Sequence, residues 1–304
     1  MTAFGSETMQ TIKTFWKNNW VGYLFLSPWL LGLLCLTAFP MAFSLYLSFT
    51  RYDLLTAPQW IGFQNFAEMF RDAKYIKSVT VTLTYVLLAV PLSLGFALAI
   101  ALLLNKGIRG LNVYRAIYYV PSLFGGSVAI GLLWRQIFGG DGLINGLLGR
   151  LGIEGTNWIA SPGTALYTLI VLSVWQFGSS MVIFLAGLKQ IPADLYESAR
   201  IDGAGAARQF AHVTFPLLTP IVFFNLVMQI IHAFQAFTPA YVVSGGSGGP
   251  LHSTLFYTLY LYQKGFTQFD MGYAAAMAWV LLLAIAFITC LVFVTSGKWV
   301  HYQE

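Results

Sequence analysis

The sequence predicts an all-α, polytopic membrane protein with six transmembrane helices and a pair of short helices at one membrane surface. Of the 304 residues, 58% are hydrophobic and only 9% are charged, which is too little charge for a soluble domain of this length. The charged residues leave six apolar windows, and each can hold a helix of about 20 residues. The spans are predicted at 21–48, 77–104, 116–137, 164–187, 219–243 and 271–296.

The first span is interpreted as a retained membrane helix. Lys13 and Lys17 precede it, but the charge-free stretch then runs to Arg51 and is longer than the apolar region of a signal peptide. The predicted boundaries are therefore an N-terminal segment at 1–20 and a membrane domain at 21–304. Two cysteines within apolar runs give no reason to expect a disulfide.

Breaks are expected within the spans. Pro28, Pro40, Pro91 and Pro121, together with the pair Gly125-Gly126, predict kinked and closely packed helices. Each of these residues is interpreted as architectural.

The distribution of Lys and Arg predicts that both termini are cytoplasmic. The segments assigned to the cytoplasm carry more of these residues per position than the longer outer segments, which is the positive-inside bias. The Lys and Arg residues near the span ends also account for the net charge of +5, so no nucleic-acid partner is predicted. The cytoplasmic set is Lys13, Lys17, Lys106, Arg109, Arg115, Lys189, Arg200, Arg208 and Lys298.

Residues 191–220 concentrate charge in an otherwise apolar chain and predict two short amphipathic helices. Asp194 and Glu197 have the spacing of a capping box, and Gly203 stands where the first helix would end. Pro216 and a second proline four residues later are expected to punctuate the second helix. Neither helix is long enough to cross a bilayer. The pair therefore lies at the cytoplasmic surface, within reach of a soluble protein.

The sequence shows neither a convincing ion-coupling site nor a nucleotide site. Every Asp and Glu falls outside the predicted spans, so His232 is the one candidate for an intramembrane relay, with hydrogen-bonded packing as its alternative. The phosphate-binding pattern G-x-x-x-x-G-K-[ST] is absent, and Gly297-Lys298-Trp299 lacks its first Gly and its hydroxyl. No catalytic or metal site is predicted. If the protein moves a solute uphill, a partner must supply the energy.

The segment E-S-A-R-I-D-G-A-G-A-A-R-Q-F-A-H-V-T-F-P resembles the cytoplasmic signature loop of binding-protein-dependent ABC permeases. Ser198, Val213 and Phe215 depart mildly from that pattern. Elsewhere Y-L-F-L-S-P-W-L, S-F-T-R-Y-D-L with I-G-F-Q-N-F, and L-L-W-R-Q-I-F are similar to the carbohydrate-uptake permeases, and among them to the first permease subunit of sugar and glycerol-phosphate operons. The residues that match the signature are Glu197, Ala199, Asp202, Gly203, Ala204, Phe210 and Pro216.

The resemblance implies a permease subunit of an ATP-driven, binding-protein-dependent importer for a sugar or oligosaccharide, in a bacterial or archaeal cell membrane. In that family the loop, here 188–218, forms coupling helices that dock on an ATPase subunit. The implied partners are a second homologous permease, two ATPase subunits that carry ATP and Mg, and an extracytoplasmic solute-binding protein, with membrane lipid around the spans. No cofactor is expected in this chain. The residues expected to couple to the ATPase are Glu197, Ser198, Ala199, Arg200, Asp202, Gly203, Ala204, Phe210 and Pro216.

Polar side chains on the fourth and fifth spans predict a path for the solute. Those on the fifth span recur on one helix face, and unpaired amides avoid lipid. Amide and aromatic groups suit a neutral polyhydroxyl solute, because no Lys or Arg lies deep in a span. Hydrogen bonding between helices is the alternative for each residue. The candidates are Trp175, Gln176, Asn225, Gln229, His232 and Gln235.

The loop between the last two spans contains a Gly-rich run. Its composition is that of a plain flexible linker, whereas the family resemblance implies contact with the solute-binding protein. Both interpretations stand at this point. The run consists of Gly245, Gly246, Ser247, Gly248 and Gly249.

Two other functions are weaker alternatives. An intramembrane serine protease would use Ser247 with His232 or His252, but a catalytic Ser needs a fixed position beside its base, and this one lies in a Gly-rich loop. A stand-alone secondary transporter would need ionisable groups within the spans.

Overall fold

The computed structural model describes residues 20–107 and 110–301. These residues are almost entirely helical, with one two-stranded antiparallel hairpin, β1 (Thr50–Arg51) and β2 (Gln59–Trp60). Lys13, Lys17, Arg109 and nearly all of the predicted segment 1–20 lie outside the described residues. The helices are α1 (Trp20–Ser48), α2 (Gln64–Met69), α3 (Ala73–Leu104), α4 (Leu111–Leu123), α5 (Val128–Phe138), α6 (Leu143–Arg150), α7 (Ala165–Trp175), α8 (Gly178–Leu188), α9 (Ala193–Ile201), α10 (Ala206–Gln209), α11 (Phe215–Phe234), α12 (Thr238–Ser244), α13 (Tyr257–Tyr262) and α14 (Met271–Ser296).

The described part of the chain has six candidate membrane spans when each of two bent helix pairs counts as one. Four are long apolar stretches, namely α1, α3, the stretch Ala206–Ser244 and α14. The third span bends by 98° between α4 and the α5–α6 segment, and the fourth by 40° between α7 and α8. The all-α, six-span fold class predicted from the sequence is confirmed.

The third span is not the single helix predicted at 116–137. α4 and α5 are separated by a break that contains Gly125-Gly126. Ser127 then starts α5, and its Oγ accepts a backbone N–H of that helix at 3.1 Å. Gln176 reaches into the break, where its Nε2 donates to the carbonyl of Gly125 at 3.2 Å.

The fifth span begins thirteen residues earlier than the predicted 219–243, at Ala206. α10 passes through a π turn, Phe210–Thr214, directly into α11. Neither Pro216 nor Pro220 ends the helix: the first lies at its N-terminal turn, and the second is accommodated inside it. The wider π turn leaves room before Pro216, which has no N–H to donate. The second member of the predicted pair is thus the start of a span.

The second span is the centre of the bundle. α3 packs against α7, α8, α11 and α13, and its Ala89, Ala97 and Ala101 are buried. Small residues let membrane helices approach closely. α1 lies at the edge, packed mainly on α14, with its large apolar side chains exposed.

The two ends of the bundle are distinguished by long-range contacts. At one end, the backbone N–H groups of Met271 and Gly272 both donate to the carbonyl of Tyr52. At the other end, the N–H of His301 donates to Thr219 Oγ1 at 2.9 Å. The C-terminal segment and the 191–220 region therefore share one end of the bundle.

Asp72 connects α3, α13 and α14 through hydrogen bonds at the end of the bundle opposite to His301. Its Oδ1 caps α3 by accepting the N–H of Lys74 at 2.9 Å, and its Oδ2 accepts hydrogen bonds from Tyr260 and Tyr273. Partial burial, the largest influence on this carboxyl, acts to raise its pKa, but the hydrogen bonds from the two phenols and the backbone outweigh it and hold the pKa below its usual range.

We expect Asp72→Asn to lower the melting temperature of the purified permease at pH 7, because the amide accepts these bonds more weakly than the carboxylate. Hydrogen bonds to a charged group are worth about 1.5–3 kcal/mol. Since the folded pKa is depressed, this stabilisation is present above the unfolded pKa of 3.8 and is lost as pH falls through the lower folded value. The melting temperature of the variant should therefore fall less between pH 7 and pH 3 than that of the unmodified protein. The exposed Asp141→Asn is the control, and equal effects of both variants would contradict the prediction.

Candidate functional site

The helix pair at 191–220 is joined by a left-handed turn. Gly203, where the first helix was predicted to end, has φ of +75° and follows the C-cap residue of α9. Its N–H donates to the carbonyl of Arg200 at 3.0 Å, and the next N–H, of Ala204, donates to Ala199 at 2.8 Å. This is the Schellman arrangement, which satisfies the last carbonyls of a helix. Backbone hydrogen bonds therefore fix the direction in which the chain leaves α9.

The start of α9 differs from the prediction. The helix begins at Ala193 with Pro192 as its N-cap residue, and that cap makes no side-chain hydrogen bond. Asp194 thus lies inside the first turn, two residues past the N-cap position that a capping box with Glu197 would require. Its charge still suits the positive end of the helix.

One side-chain bond holds α9 against the fifth span, and another braces the turn between α9 and α10. Tyr196 on α9 hydrogen-bonds Thr214 through the two hydroxyls at 3.0 Å, and Gln209 Nε2 donates to the carbonyl of Ala204 at 2.8 Å. Sequence reasoning missed these three residues. No local sequence pattern predicts the contact between Tyr196 and Thr214, since the two residues are 18 positions apart.

The pair presents a mixed surface away from the bundle. Ile201 is 87% exposed, and it lies one helical turn after Glu197, so both share a face. The predicted coupling residues divide into an exposed set and a half-buried set that faces the spans. Exposed are Glu197, Ser198, Arg200, Asp202 and Gly203; half-buried are Ala199, Ala204, Phe210 and Pro216.

A polar cavity of about 550 Å³ lies inside the bundle, between the break in the third span and the fourth and fifth spans. It is bounded by five of the six predicted path residues, namely Gln176, Asn225, Gln229, His232 and Gln235. Trp175 is the exception, because it is adjacent to Gln176 and points to another side of the helix. Its ring lies 5.8 Å from that of Trp134 instead.

Some polar side chains of the cavity already form hydrogen bonds within the protein, and others do not. Asn225 is only 2% exposed, and its amide donates to the carbonyl of Ile221 in its own helix at 3.1 Å. Gln229 Nε2 donates to Ser180 Oγ at 3.1 Å. Within the described residues, the side chains of His232 and Gln235 have no hydrogen-bond partner. These two, with the free oxygens of the amides, remain available to a solute.

Hydroxyl groups from α3, α4, α7, α8 and α12, together with two further aromatic rings, complete the cavity, and these residues were not predicted from the sequence. None of the lining residues is Asp, Glu, Lys or Arg. The helical period predicts that the polar residues of α11 share one face. It cannot predict which side chains of α3, α4 and α7 lie opposite that face. The added polar and aromatic residues are Tyr85, Ser122, Ser173, Ser179, Ser180, Phe224, Phe237 and Thr238.

A second cavity of about 430 Å³ adjoins the first and shares Ser179 and Ile183 with it. It lies along the groove between α4 and α8, where Asn112, Arg115 and Tyr119 line it. The second cavity extends this space to the end of the bundle where α4 begins; its lining is mostly apolar and includes the cation Arg115.

The Gly-rich run is folded rather than extended. Gly245, Gly246 and Gly248 all have positive φ. Gln263 Nε2 donates to the carbonyl of Gly246 at 2.7 Å, and Thr254 Oγ1 donates to that of Gly249 at 2.8 Å. Defined contacts of this kind favour a shaped surface over a plain linker.

Ser247 does not form a nucleophile–base pair in the described structure. Its Oγ donates to the carbonyl of Ser244 at 2.8 Å and accepts the N–H of Gly249. His232 lies in the intramembrane cavity instead. His252 Nδ1 is buried without a hydrogen-bond partner among the described residues, so it does not pair with Ser247 either. The serine protease interpretation therefore has no geometric support.

Comparison with known proteins agrees with this geometry. Residues 66–298 match the profile of the family described as "Binding-protein-dependent transport system inner membrane component". The chain is 56% identical to the probable ABC transporter permease protein YesP of Bacillus subtilis, over 100% of this chain and 99% of that protein. It is 31% identical to the arabinooligosaccharides transport system permease protein AraP of the same species, over 93% and 91% of the two chains.

Solved structures share the fold. A chain of the bacterial alginate ABC transporter, in complex with an alginate pentasaccharide-bound periplasmic protein, superposes with a TM-score of 0.81. The alignment covers 93% of this chain and 96% of that one at 21% identity. The two chains therefore share a fold.

Proposed function

The chain belongs to the family of binding-protein-dependent transport system inner membrane components, and from this membership we propose that it is one of two permease subunits of an ATP-driven importer for a sugar or oligosaccharide. It is a transport subunit rather than an enzyme. A second homologous permease would complete the path, and two ATPase subunits would bind ATP and Mg. An extracytoplasmic binding protein would deliver the solute.

The uncharged polar cavity is the observation that carries the choice of substrate. Amides and hydroxyls supply both donors and acceptors, which is the pattern that polyhydroxyl solutes require. The rings of Phe224 and Phe237 add apolar faces. Relatives named for arabinooligosaccharides and for starch degradation products support the same class.

The fixed turn at Gly203 supports the proposed role of the helix pair. A short helix tied at both ends to spans can move with them as a rigid body. ATPase subunits that bind Glu197, Arg200 and Ile201 would thereby shift α8 and the fifth span, both of which line the cavity. The proposed orientation has this pair and both termini in the cytoplasm.

The proposed orientation predicts the labelling of two single cysteines. In a background where Cys35 and Cys290 are replaced by Ala, Ser247→Cys should react with an impermeant maleimide in intact cells, because Ser247 is exposed on the outer loop. Ala206→Cys, exposed at the opposite end, should react only after the membrane is permeabilised. Labelling of Ala206→Cys from outside would overturn the orientation and the docking proposal with it.

Gln229→Ala tests the cavity as the solute path. We expect the KM for transport by the reconstituted importer to rise about two- to tenfold, since one hydrogen bond is worth about 0.5–1.5 kcal/mol. Ser180→Ala is the matched control, because it removes the same interhelical bond but leaves the amide in place. If both variants lose complex stability equally and neither changes KM, Gln229 serves packing and the path proposal fails there.

A further inference from the structure

An aromatic stripe covers the outward face of the short helix α2, just after the hairpin. Asn65 and Met69 point inward, and Asn65 Nδ2 donates to the carbonyls of Ser48 and Thr50 at 2.9 Å each. Phe63 and Phe70, seven residues apart and therefore on one face, are 73% and 80% exposed. The buried amide fixes which face of α2 points away from the protein.

The stripe continues the apolar surface of the first span. Ring contacts form a chain from mid-helix to α2, with neighbouring centroids 5.2–6.3 Å apart: Phe39–Phe43, Phe43–Tyr46, Tyr46–Trp60, Trp60–Phe49 and Phe49–Phe63. Most of these rings are also exposed, Trp60 by 64%. The hairpin and α2 thus extend one aromatic surface rather than begin a new one.

The position of Trp60 fixes the depth of this surface. α1 has 29 residues and is about 43 Å long, which exceeds a hydrocarbon core of about 30 Å. Its ends therefore reach the headgroup region. Trp60 packs on Tyr46, which lies inside the helix before its outer end. The ring of Trp60 is accordingly at the level of the interface, not above it.

We infer that the surface formed by Trp60, Phe63 and Phe70 lies in the headgroup–acyl boundary of the outer leaflet and anchors the hairpin and α2 there. Trp and other aromatic rings favour this boundary. The indole N–H of Trp60 has no acceptor among the described residues, and lipid ester or phosphate oxygens would supply one. Exposed Arg51 and Arg71 flank the surface with the charge that suits phosphate groups.

The binding protein is the less favoured occupant of the same surface. Its expected contact is the folded Gly-rich run, whereas the aromatic surface is continuous with a membrane helix at the edge of the bundle. Anchoring at this point would hold Tyr52 and the start of α14 at a constant depth, because Tyr52 accepts two backbone N–H groups of α14.

Site-directed spin labelling of the full importer in lipid nanodiscs tests the inference independently of transport. Phe63→Cys and Phe70→Cys, each in the background without Cys35 and Cys290, would carry a nitroxide. We expect both labels to be several-fold more accessible to oxygen, relative to a nickel chelate, than the label at Gln64→Cys. That control lies on the same helix, about 100° around from Phe63, and Ser247→Cys gives the value for water.

Two outcomes would overturn the inference. Nickel accessibility at Phe63 and Phe70 equal to that at Ser247, and lost when the binding protein is added, would assign the surface to that protein. Shielding of both labels from both reagents would assign it to the partner permease. Phe70 has no ring partner in the described residues, so the label there leaves the aromatic chain intact even if the Phe63 variant assembles poorly.

Discussion

Replacement of Gly203 by Val is expected to reduce solute-stimulated ATP hydrolysis of the assembled importer by about tenfold or more, while the permease still inserts and pairs. Nothing lies within 4 Å of a Cβ built on Gly203, so the effect does not come from a clash with neighbours. It comes from the backbone, whose φ of +75° costs an L-residue about 1–2 kcal/mol and a β-branched one more. The turn that sets the angle of α9 would therefore rearrange.

A rearranged turn should uncouple the ATPase without unfolding the bundle. The two hydrogen bonds of the turn join only residues of the exposed pair, and the buried core of α3 lies elsewhere. A change of 1.4 kcal/mol in docking corresponds to a tenfold weaker complex. Glu197→Ala should act in the same direction, since removing one partner of a desolvated charged hydrogen bond costs about 2–5 kcal/mol.

The measurement is ATP hydrolysis with and without loaded binding protein, together with co-purification of the ATPase. Gly203→Asn should keep more activity than Gly203→Val, because Asn tolerates the left-handed region. Gly205→Ala is the matched control: it has φ of −70° and equally open space. Full stimulation in Gly203→Val and Glu197→Ala, with the ATPase still bound, would show that this pair is not the coupling element.

Local signals were sufficient to predict much of this molecule. The apolar windows place the six spans, and the position of Gly203 after a charged helix predicts its left-handed turn. The 100° period of a helix predicts that Gln229 and His232 share a face. In each case the cause lies within a few residues of the effect.

Errors arose where the local backbone departs from a regular α-helix and where distant elements decide the outcome. Pro216 predicts a helix end, but a π turn before it accommodates the ring, so the helix continues. Trp175 has suitable chemistry for the path, but its ring packs against Trp134 from another span. Asp72 pairs with Tyr260 and Tyr273, which are 188 and 201 residues away. A single sequence carries no signal for pairings of that range.

The second large effect is expected at Gly178, where the fourth span passes the third. A Cβ on Gly178 would overlap the carbonyl oxygen of Tyr118 and come within 2.8 Å of Tyr119 Cα. Both neighbours are backbone atoms of α4, so neither can turn aside as a side chain would. Gly178→Ala therefore has to push α8 away from α4, and overpacking of this kind costs about 1–3 kcal/mol or more.

Displacement of α8 should damage function as well as stability, because Ser179, Ser180 and the adjoining Gln176 line the cavity. We expect Gly178→Ala to lower both the melting temperature and the yield of assembled importer, and to reduce transport by the fraction that still assembles. Gly95→Ala in α3 is the control, since nothing lies within 4 Å of its Cβ and Ala is favoured over Gly in a helix by roughly 0.5–1 kcal/mol. If Gly178→Ala melts and transports like Gly95→Ala, then α4 and α8 are not in close contact at this crossing, and the shape derived for the cavity fails with that contact.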